Sequence, residues 1–247
     1  MNRHSNVWVV AKRELSSYFA TPVAYVFLWV FLVLAGFLTF FIGQFIEREQ
    51  ADLEAFFAFH TWLYLFLVPA ISMRLWSEER RNGTIELLMT LPISEAQAVL
   101  GKFLAAWLFT GLALLLTTPI WITVTFLGDP DHGAIVTGYF GSWLMAGAYL
   151  ALGSMVSACT KNQVVAFVLT AAVCFLFMLI DFPWSIEIVD AYLPDLVADV
   201  VRNLGFMTQF AALQKGVIEL PAVLFFTSLI ALALYVNTQI VASRKAS

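Results

Sequence analysis

The chain has 247 residues, of which 61% are apolar and only 12% charged, with a net charge of -4 and two cysteines. That charge content is about half of what a soluble domain carries and too little to cover an aqueous surface of this size. The high hydrophobicity excludes disorder, the cysteine count a disulfide scaffold, and the acidic balance a nucleic-acid-binding domain, which leaves a polytopic membrane protein.

The first element is amphipathic. Within residues 5–20, Val7, Trp8, Ala11, Leu15, Tyr18 and Phe19 recur at helical spacing with Lys12, Arg13, Ser16 and Ser17 elsewhere. This predicts a helix lying in the membrane interface before the chain turns inward at Thr21-Pro22. Six uncharged windows follow, at residues 23–46, 55–73, 103–127, 134–160, 164–180 and 220–242. Each is long enough to cross a hydrocarbon core of about 30 Å, and too continuous for a barrel strand. The expected fold class is therefore all-α, a single transmembrane domain over residues 1–247. Arg3, Lys12 and Arg13 precede a first window longer than the apolar core of a signal peptide, so that span is expected to stay in the mature protein.

With the N-terminus in the cytoplasm, the inner segments hold ten of the 13 Lys and Arg: Arg3, Lys12, Arg13, Arg74, Arg80, Arg81, Lys102, Lys161, Arg244 and Lys245. The inner side then carries about +5 and the outer side about -9, which predicts that both termini are cytoplasmic. Topology alone accounts for this split.

Several features mark the spans. Pro119, after Thr117 and Thr118, predicts a kink in the third span, either a gating hinge or a static bend. Gly138, Ser142 and Ala146, continued by Gly153 and Ser157, form a stripe of small residues that lets helices approach closely, within the subunit or between subunits. Lys161-Asn162-Gln163 makes a tight hairpin between the fourth and fifth spans. Residues 181–219 mix Asp190, Asp195, Asp199 and Arg202 with Trp184, Tyr192, Leu196, Val200, Phe206 and Phe210. Short helices resting on or dipping into the outer leaflet are expected there.

None of the six windows contains Asp, Glu, Lys or Arg. A proton relay, voltage sensor or ion-coupled carrier needs such groups at membrane depth, so any energy must come from outside the bilayer. There is no phosphate-cradling glycine loop, dinucleotide fingerprint, zinc helix motif or C-x-x-C, and no catalytic or metal site is expected. His60 is expected to hydrogen-bond a neighbour or lie at the outer headgroup level. Cys159 and Cys174 read as reduced, packed thiols, and the acidic pairs Glu47/Glu49 and Asp129/Asp131 as solvated loop charge.

The polar segment between the second and third spans is the richest in signals. Glu78, Glu79, Arg80 and Arg81 continue the second span, with carboxylates and guanidinium groups able to pair over one turn. Asn82-Gly83 supplies a positive-φ stop. Ile85, Leu87, Leu88, Met89 and Leu91 then form a short apolar helix ended by Pro92, and Ser94-x-x-Gln97 is a capping box that opens the next helix. Such an apolar helix either lies on lipid or enters a groove on a cytoplasmic partner.

Three stretches of this segment, Pro69 to Arg74, Glu78 to Ser94 and Gly101-Lys102-Phe103, resemble the signature of ABC-2 type permease subunits of ATP-binding cassette transporters. Arg13-Glu14-Leu15, Tyr18 to Val26 and Phe210 to Glu219 agree with the gliding-motility-type branch of that family. The resemblance implies a six-span subunit of a bacterial inner-membrane transporter that pairs with a second permease copy or paralogue and with two cytoplasmic ABC ATPase subunits. ATP and Mg would be bound by the ATPase, this chain holding no cofactor and being no enzyme; a periplasmic auxiliary protein is compatible with the family. It further implies that Glu78, Glu79, Arg80, Arg81, Gly83, Thr84, Ile85, Glu86, Leu88, Met89 and Pro92 form the coupling region that binds the ATPase. The N-terminal interfacial helix, with Trp8, Lys12, Arg13 and Glu14, would help dock it, and the segment before the sixth span would form short re-entrant helices. Charge-free spans rich in Phe and Leu suit an amphiphilic or lipid-linked substrate. The alternative is a mechanotransmitting or scaffold subunit of an envelope machine that moves no substrate itself.

Overall fold

The computed structural model describes residues 3–85 and 92–243, with side chains from Asn6 onward. Among the described residues the chain is helical throughout, with no strand. The helices are α1 (Arg3–Phe19), α2 (Pro22–Phe37), α3 (Glu54–Ser72), α4 (Arg74–Asn82), α5 (Glu95–Leu115), α6 (Thr118–Leu127) and α7 (His132–Cys159). They continue with α8 (Gln163–Leu179), α9 (Pro183–Tyr192), α10 (Asp195–Arg202), α11 (Phe206–Gln214) and α12 (Leu220–Ser243).

Among the described residues, five helical runs are long and apolar enough to cross a membrane: residues 22–42, 54–82, 95–127, 132–159 and 220–243. The fifth expected span is different. α8 has 17 residues, and the chain bends by 72° into α9, so the two together make a broken span or a re-entrant loop. The first span stops at Ile42 rather than at residue 46. Its last turn, Leu38–Ile42, is π-helical, and Gly43 N–H donates to Leu38 O at 2.7 Å. Gln44 then takes a positive φ of 49°, which ends the helix.

α7 is the hub, packed by α3, α4, α5, α8, α11 and α12. It carries almost no polar face, as expected of a helix surrounded by protein. The small-residue stripe is what lets its neighbours close in. Cβ atoms added at Gly138 and Gly153 would meet Phe57 and Ser72, and Ser142 Oγ lies 2.7 Å from Tyr64 Oη, so the stripe is used within this subunit; beside it, Cβ atoms at Gly141 and Gly147 would meet Leu213 and Trp107. α5 is locked to α7 by a reciprocal pair: Trp107 Nε1–H donates to Trp143 O at 2.8 Å and Trp143 Nε1–H to Trp107 O at 3.0 Å, with the rings stacked 4.2 Å apart. Both indole donors are thus satisfied where water is excluded.

The third span breaks between α5 and α6. Pro119 has no N–H for the preceding turn, and the buried Thr117 hydroxyl donates to Leu114 O at 2.6 Å while meeting Tyr139 Oη at 2.9 Å. Asp131, read from sequence as loop charge, caps α7: its Oδ1 accepts from Gly133 N at 2.8 Å and Ala134 N at 3.2 Å.

After α8, Asp181 reaches across to the start of α11, accepting from Met207 N at 2.8 Å, Thr208 N at 3.1 Å and Thr208 Oγ1 at 2.6 Å. α11 begins with Phe206 against Tyr149, near the middle of α7, and runs back along α7 past Gly141. Of the segment between α8 and α12 only α11 is well buried, while α9 and α10 expose Trp184, Tyr192, Leu196 and Val200.

Two expectations fail. His60 neither hydrogen-bonds a neighbour nor lies at a headgroup surface. It is fully buried among the rings of Phe31, Phe56, Phe57 and Tyr64, with neither ring nitrogen in hydrogen-bond geometry among the described residues. Cys174 is packed as expected, but Cys159 is exposed.

Candidate functional site

The site lies where α1, α4 and the start of α5 meet the end of α7. α4 follows α3 after a slight break at Met73, and its first turn needs acceptors for its N–H groups. A serine of α7 provides one. Ser157 Oγ accepts from Trp76 N and Ser77 N, both at 3.1 Å, and donates to Met73 O at 2.9 Å. One turn earlier on α7, Ser154 Oγ accepts from Trp76 Nε1 at 3.2 Å and from Asn237 Nδ2 of α12 at 2.8 Å. Trp76, completely buried, is thereby fixed on two sides. Arg80 NH1 donates to Ala158 O at 2.6 Å, which ties the next turn of α4 to the end of α7.

The capping box opens α5 as expected, with Gln97 N donating to Ser94 Oγ at 3.3 Å and Ser94 N to Gln97 Oε1 at 3.0 Å. Because α5 starts at Glu95, Lys102 falls inside the helix, where only 3% of its side chain is exposed. Its ammonium lies 2.8 Å from Glu79 Oε1 of α4 and 3.4 Å from Glu14 Oε1 of α1, and 5.3 Å from the Trp76 ring centroid. A buried ammonium must be paired, and three helices meet at this one. Burial pushes the Glu14 carboxyl upward, but Lys102 and Arg13, whose NH2 is 2.9 Å away, outweigh it and hold the group below the usual carboxylate value. Tyr18, one turn further along α1, has its hydroxyl pushed upward by burial and by Glu14.

α1 itself packs on α5 through Val7, Val10, Ala11, Glu14 and Tyr18, a stripe at helical spacing with one acid in it. Gly101 makes room, since a Cβ there would overlap Val10. Trp8, expected on the same face as Ala11, is 59% exposed, and Lys12 and Arg13 are also exposed. The helix therefore has a protein-facing side and a second apolar side open to its surroundings.

The residues of the expected coupling region divide into three groups. Glu79 and Arg80 are committed inward, and Glu78 pairs with Arg74 along α4 at 2.9 Å. Arg81, Asn82, Gly83 and Thr84 are exposed at the tip, with Gly83 at φ 71° as the stop requires, and Pro92 is exposed on the return. Ile85 is half-buried against the core. Glu86, Leu88 and Met89 lie outside the described residues. The expected pairing among Glu78, Glu79, Arg80 and Arg81 is corrected in part: the recorded partners of the first two are Arg74 and Lys102, and Arg80 holds a carbonyl of α7. Sequence reading missed Lys102 as the centre of the ion cluster, and Ser154, Ser157 and Trp76 as its support. The signal for the lysine was present in its position eight residues after the capping Ser94, inside the helix that the box opens.

A family profile described as ABC-2 family transporter protein matches residues 65–190, from the second half of α3 to the end of α9. The chain belongs to that family. It is 30% identical over 156 residues to the probable ABC transporter permease protein NosY of Pseudomonas aeruginosa, an alignment that covers 60% of this chain and 55% of the relative. It is also 33% identical over 72 residues to heme exporter protein B of Rhodobacter capsulatus, covering 29% of this chain and 33% of that one. The chain thus spans about half the length of the first relative and about a third of the second. Within this family the matched region holds α4, the α4–α5 loop and Lys102, but begins after α1.

Proposed function

We propose that this chain is the membrane-spanning permease subunit of an ATP-driven transporter, and that the α4–α5 loop with α1 receives the motion of a cytoplasmic ABC ATPase. The carrying observation is mechanical. The exposed tip Arg81–Thr84 stands on a base whose every turn is bonded to another helix, through Ser157, Ser154, Arg80 and Lys102. A push on the tip is passed to α7, the helix that touches most of the bundle.

In this reading ATP and Mg belong to the partner, and ATP binding there biases the membrane part between two arrangements. Glu78, Arg81, Thr84, Glu86 and Pro92 meet the ATPase. Ile85, Leu88 and Met89 supply the apolar face of the loop, and Trp8, Lys12 and Arg13 the docking side of α1. The excess of Lys and Arg on the segments at this end supports an orientation with this end and both termini on the cytoplasmic side of a bacterial inner membrane. Exposed Trp29 on α2, Phe41 in the π-helical turn after it, and Leu224 and Tyr235 on α12 leave apolar faces for lipid and for a second permease copy or paralogue. A substrate with an apolar part, amphiphilic or lipid-linked, suits spans without charge. A place in the gliding-motility-type branch rests on the resemblance read in the sequence, to which Arg13 to Val26 and Phe210 to Glu219 belong.

The test is Gly83→Val. A β-branched residue at φ 71° cannot hold this stop without strain, while the space around Gly83 is open, so packing is untouched. Stimulation of the copurified ATPase by the permease should fall about tenfold or more with membrane insertion intact, a change of about 1.4 kcal/mol or more in coupling. Unchanged stimulation would remove the loop from the pathway.

A further inference from the structure

A cavity of about 580 Å³ opens between α1, α2, α3, α4 and α5 at the same end of the molecule, a volume in the ordinary range for small-ligand sites. Its two halves differ in chemistry. Toward the bundle it is lined by Val26, Phe27, Val30, Leu67 and Ile71, and Val26 is well exposed on the outer side of α2, where hydrocarbon lies. Toward the α4 tip it is lined by Glu14, Tyr18, Arg74, Glu78, Glu79 and Lys102. An apolar half open to lipid joined to a charged half at the level of an interfacial helix is the profile of an amphiphile.

The charged half also says which headgroup. Its three carboxylates and two cations leave one negative charge among the described lining residues. Both cations are already engaged, Arg74 with Glu78 and Lys102 with Glu79 and Glu14. What is unused is acceptor capacity: Glu79 Oε2 and Tyr18 Oη are buried with no hydrogen-bond partner among the described residues. Buried oxygens left unpaired are costly and call for a donor. A primary ammonium offers three N–H donors and the compensating positive charge.

We propose that this cavity binds one bilayer phospholipid with a primary-ammonium headgroup, of the phosphatidylethanolamine class, its acyl chain between α2 and α3 and its ammonium at Glu79 and Tyr18. A phosphatidylglycerol headgroup adds a second negative charge and no ammonium. A phosphatidylcholine headgroup has the positive charge but no N–H, so it leaves both oxygens unpaired. The site stands apart from the coupling assignment, because its test reads lipid retention and not ATP turnover.

The experiment is native mass spectrometry of the full-length chain, delipidated in detergent and offered equal amounts of phosphatidylethanolamine, phosphatidylglycerol and phosphatidylcholine with matched acyl chains. The wild type should retain one phosphatidylethanolamine at least about tenfold over either other lipid, about 1.4 kcal/mol of discrimination. Glu79→Gln and Tyr18→Phe, each checked for native helicity by circular dichroism, should bring the three lipids to within about twofold of one another. Tyr18→Phe removes a single hydroxyl and no ion pair, which keeps the test clear of any loss of the Lys102 cluster. Equal retention of the three lipids by the wild type, or an ethanolamine preference that survives both substitutions, would overturn the proposal.

Discussion

Two polar stretches interrupt the apolar spans, and they are built in opposite ways. At the α1–α4–α5 corner a single buried ammonium collects carboxylates from two other helices, and serines of α7 anchor the backbone of α4. In the α9–α11 segment the ions stay at the surface, where Arg202 bridges Asp190 and Asp199 at 39% exposure. There Asp181, accepting from the first turn of α11, Ser185 of α9, bonded to carbonyls at the end of α8, and the stacked rings of Phe177 and Phe206 join the segment to α8. A buried ion that loses its partner is costly, whereas a solvated pair contributes little, so the first corner moves as a block and the outer part of the second can shift alone. A corner that is to carry force needs the first construction.

The contrast can be broken by substitution. Lys102→Met leaves Glu79 and Glu14 facing each other without their shared cation, and should destabilise the chain by about 3–5 kcal/mol, read as unfolding in mixed micelles. The same corner sets a pH dependence. The carboxyl of Glu14 is held below its ordinary value of 4.5, so its contribution is complete above about pH 4.5 and is lost as the pH falls through the lowered value. Protease access to α1 should therefore rise only below that pH, and Lys102→Met should abolish the transition. A smaller effect, about 2 kcal/mol, is expected from Asp181→Ala, which strips the cap from α11. Hydrogen exchange should then quicken in residues 206–214 and not in α4. Arg202→Ala, at the solvated pair, should leave the unfolding transition in the same micelle assay nearly unmoved.

Much of this was legible from residue order alone. Long uncharged windows give the membrane helices, Asn82-Gly83 the end of α4, and Ser94-x-x-Gln97 the start of α5, because each signal acts through its own backbone or nearest turn. The stripe from Gly138 to Ser157 was visible as a stripe, but its partners Phe57, Tyr64 and Ser72 lie far away in sequence, so which surface it served was not. Lys102 was hidden for the same reason: treating the span as beginning at Phe103 put the lysine in a loop, and only the packing of α1 and α4 against α5 shows it enclosed. His60 was misread, and the capping role of the exposed Asp131 missed, because burial and capping depend on where the neighbouring helix or turn falls. The charges at residues 78–81 formed an obvious cluster, yet their partners, a lysine about twenty residues on and a carbonyl of α7, required the fold.

The most direct test of coupling through the α4–α5 loop is site-directed cross-linking in the assembled complex. With the exposed Cys159 replaced by Ser, Arg81→Cys and Thr84→Cys would each carry a short cross-linker in the presence and absence of ATP. The account predicts a covalent product with the ATPase subunit at both positions, with a yield that changes on nucleotide binding. Reaction of both positions with lipid-borne reagents alone, and no product with the ATPase in either state, would contradict it.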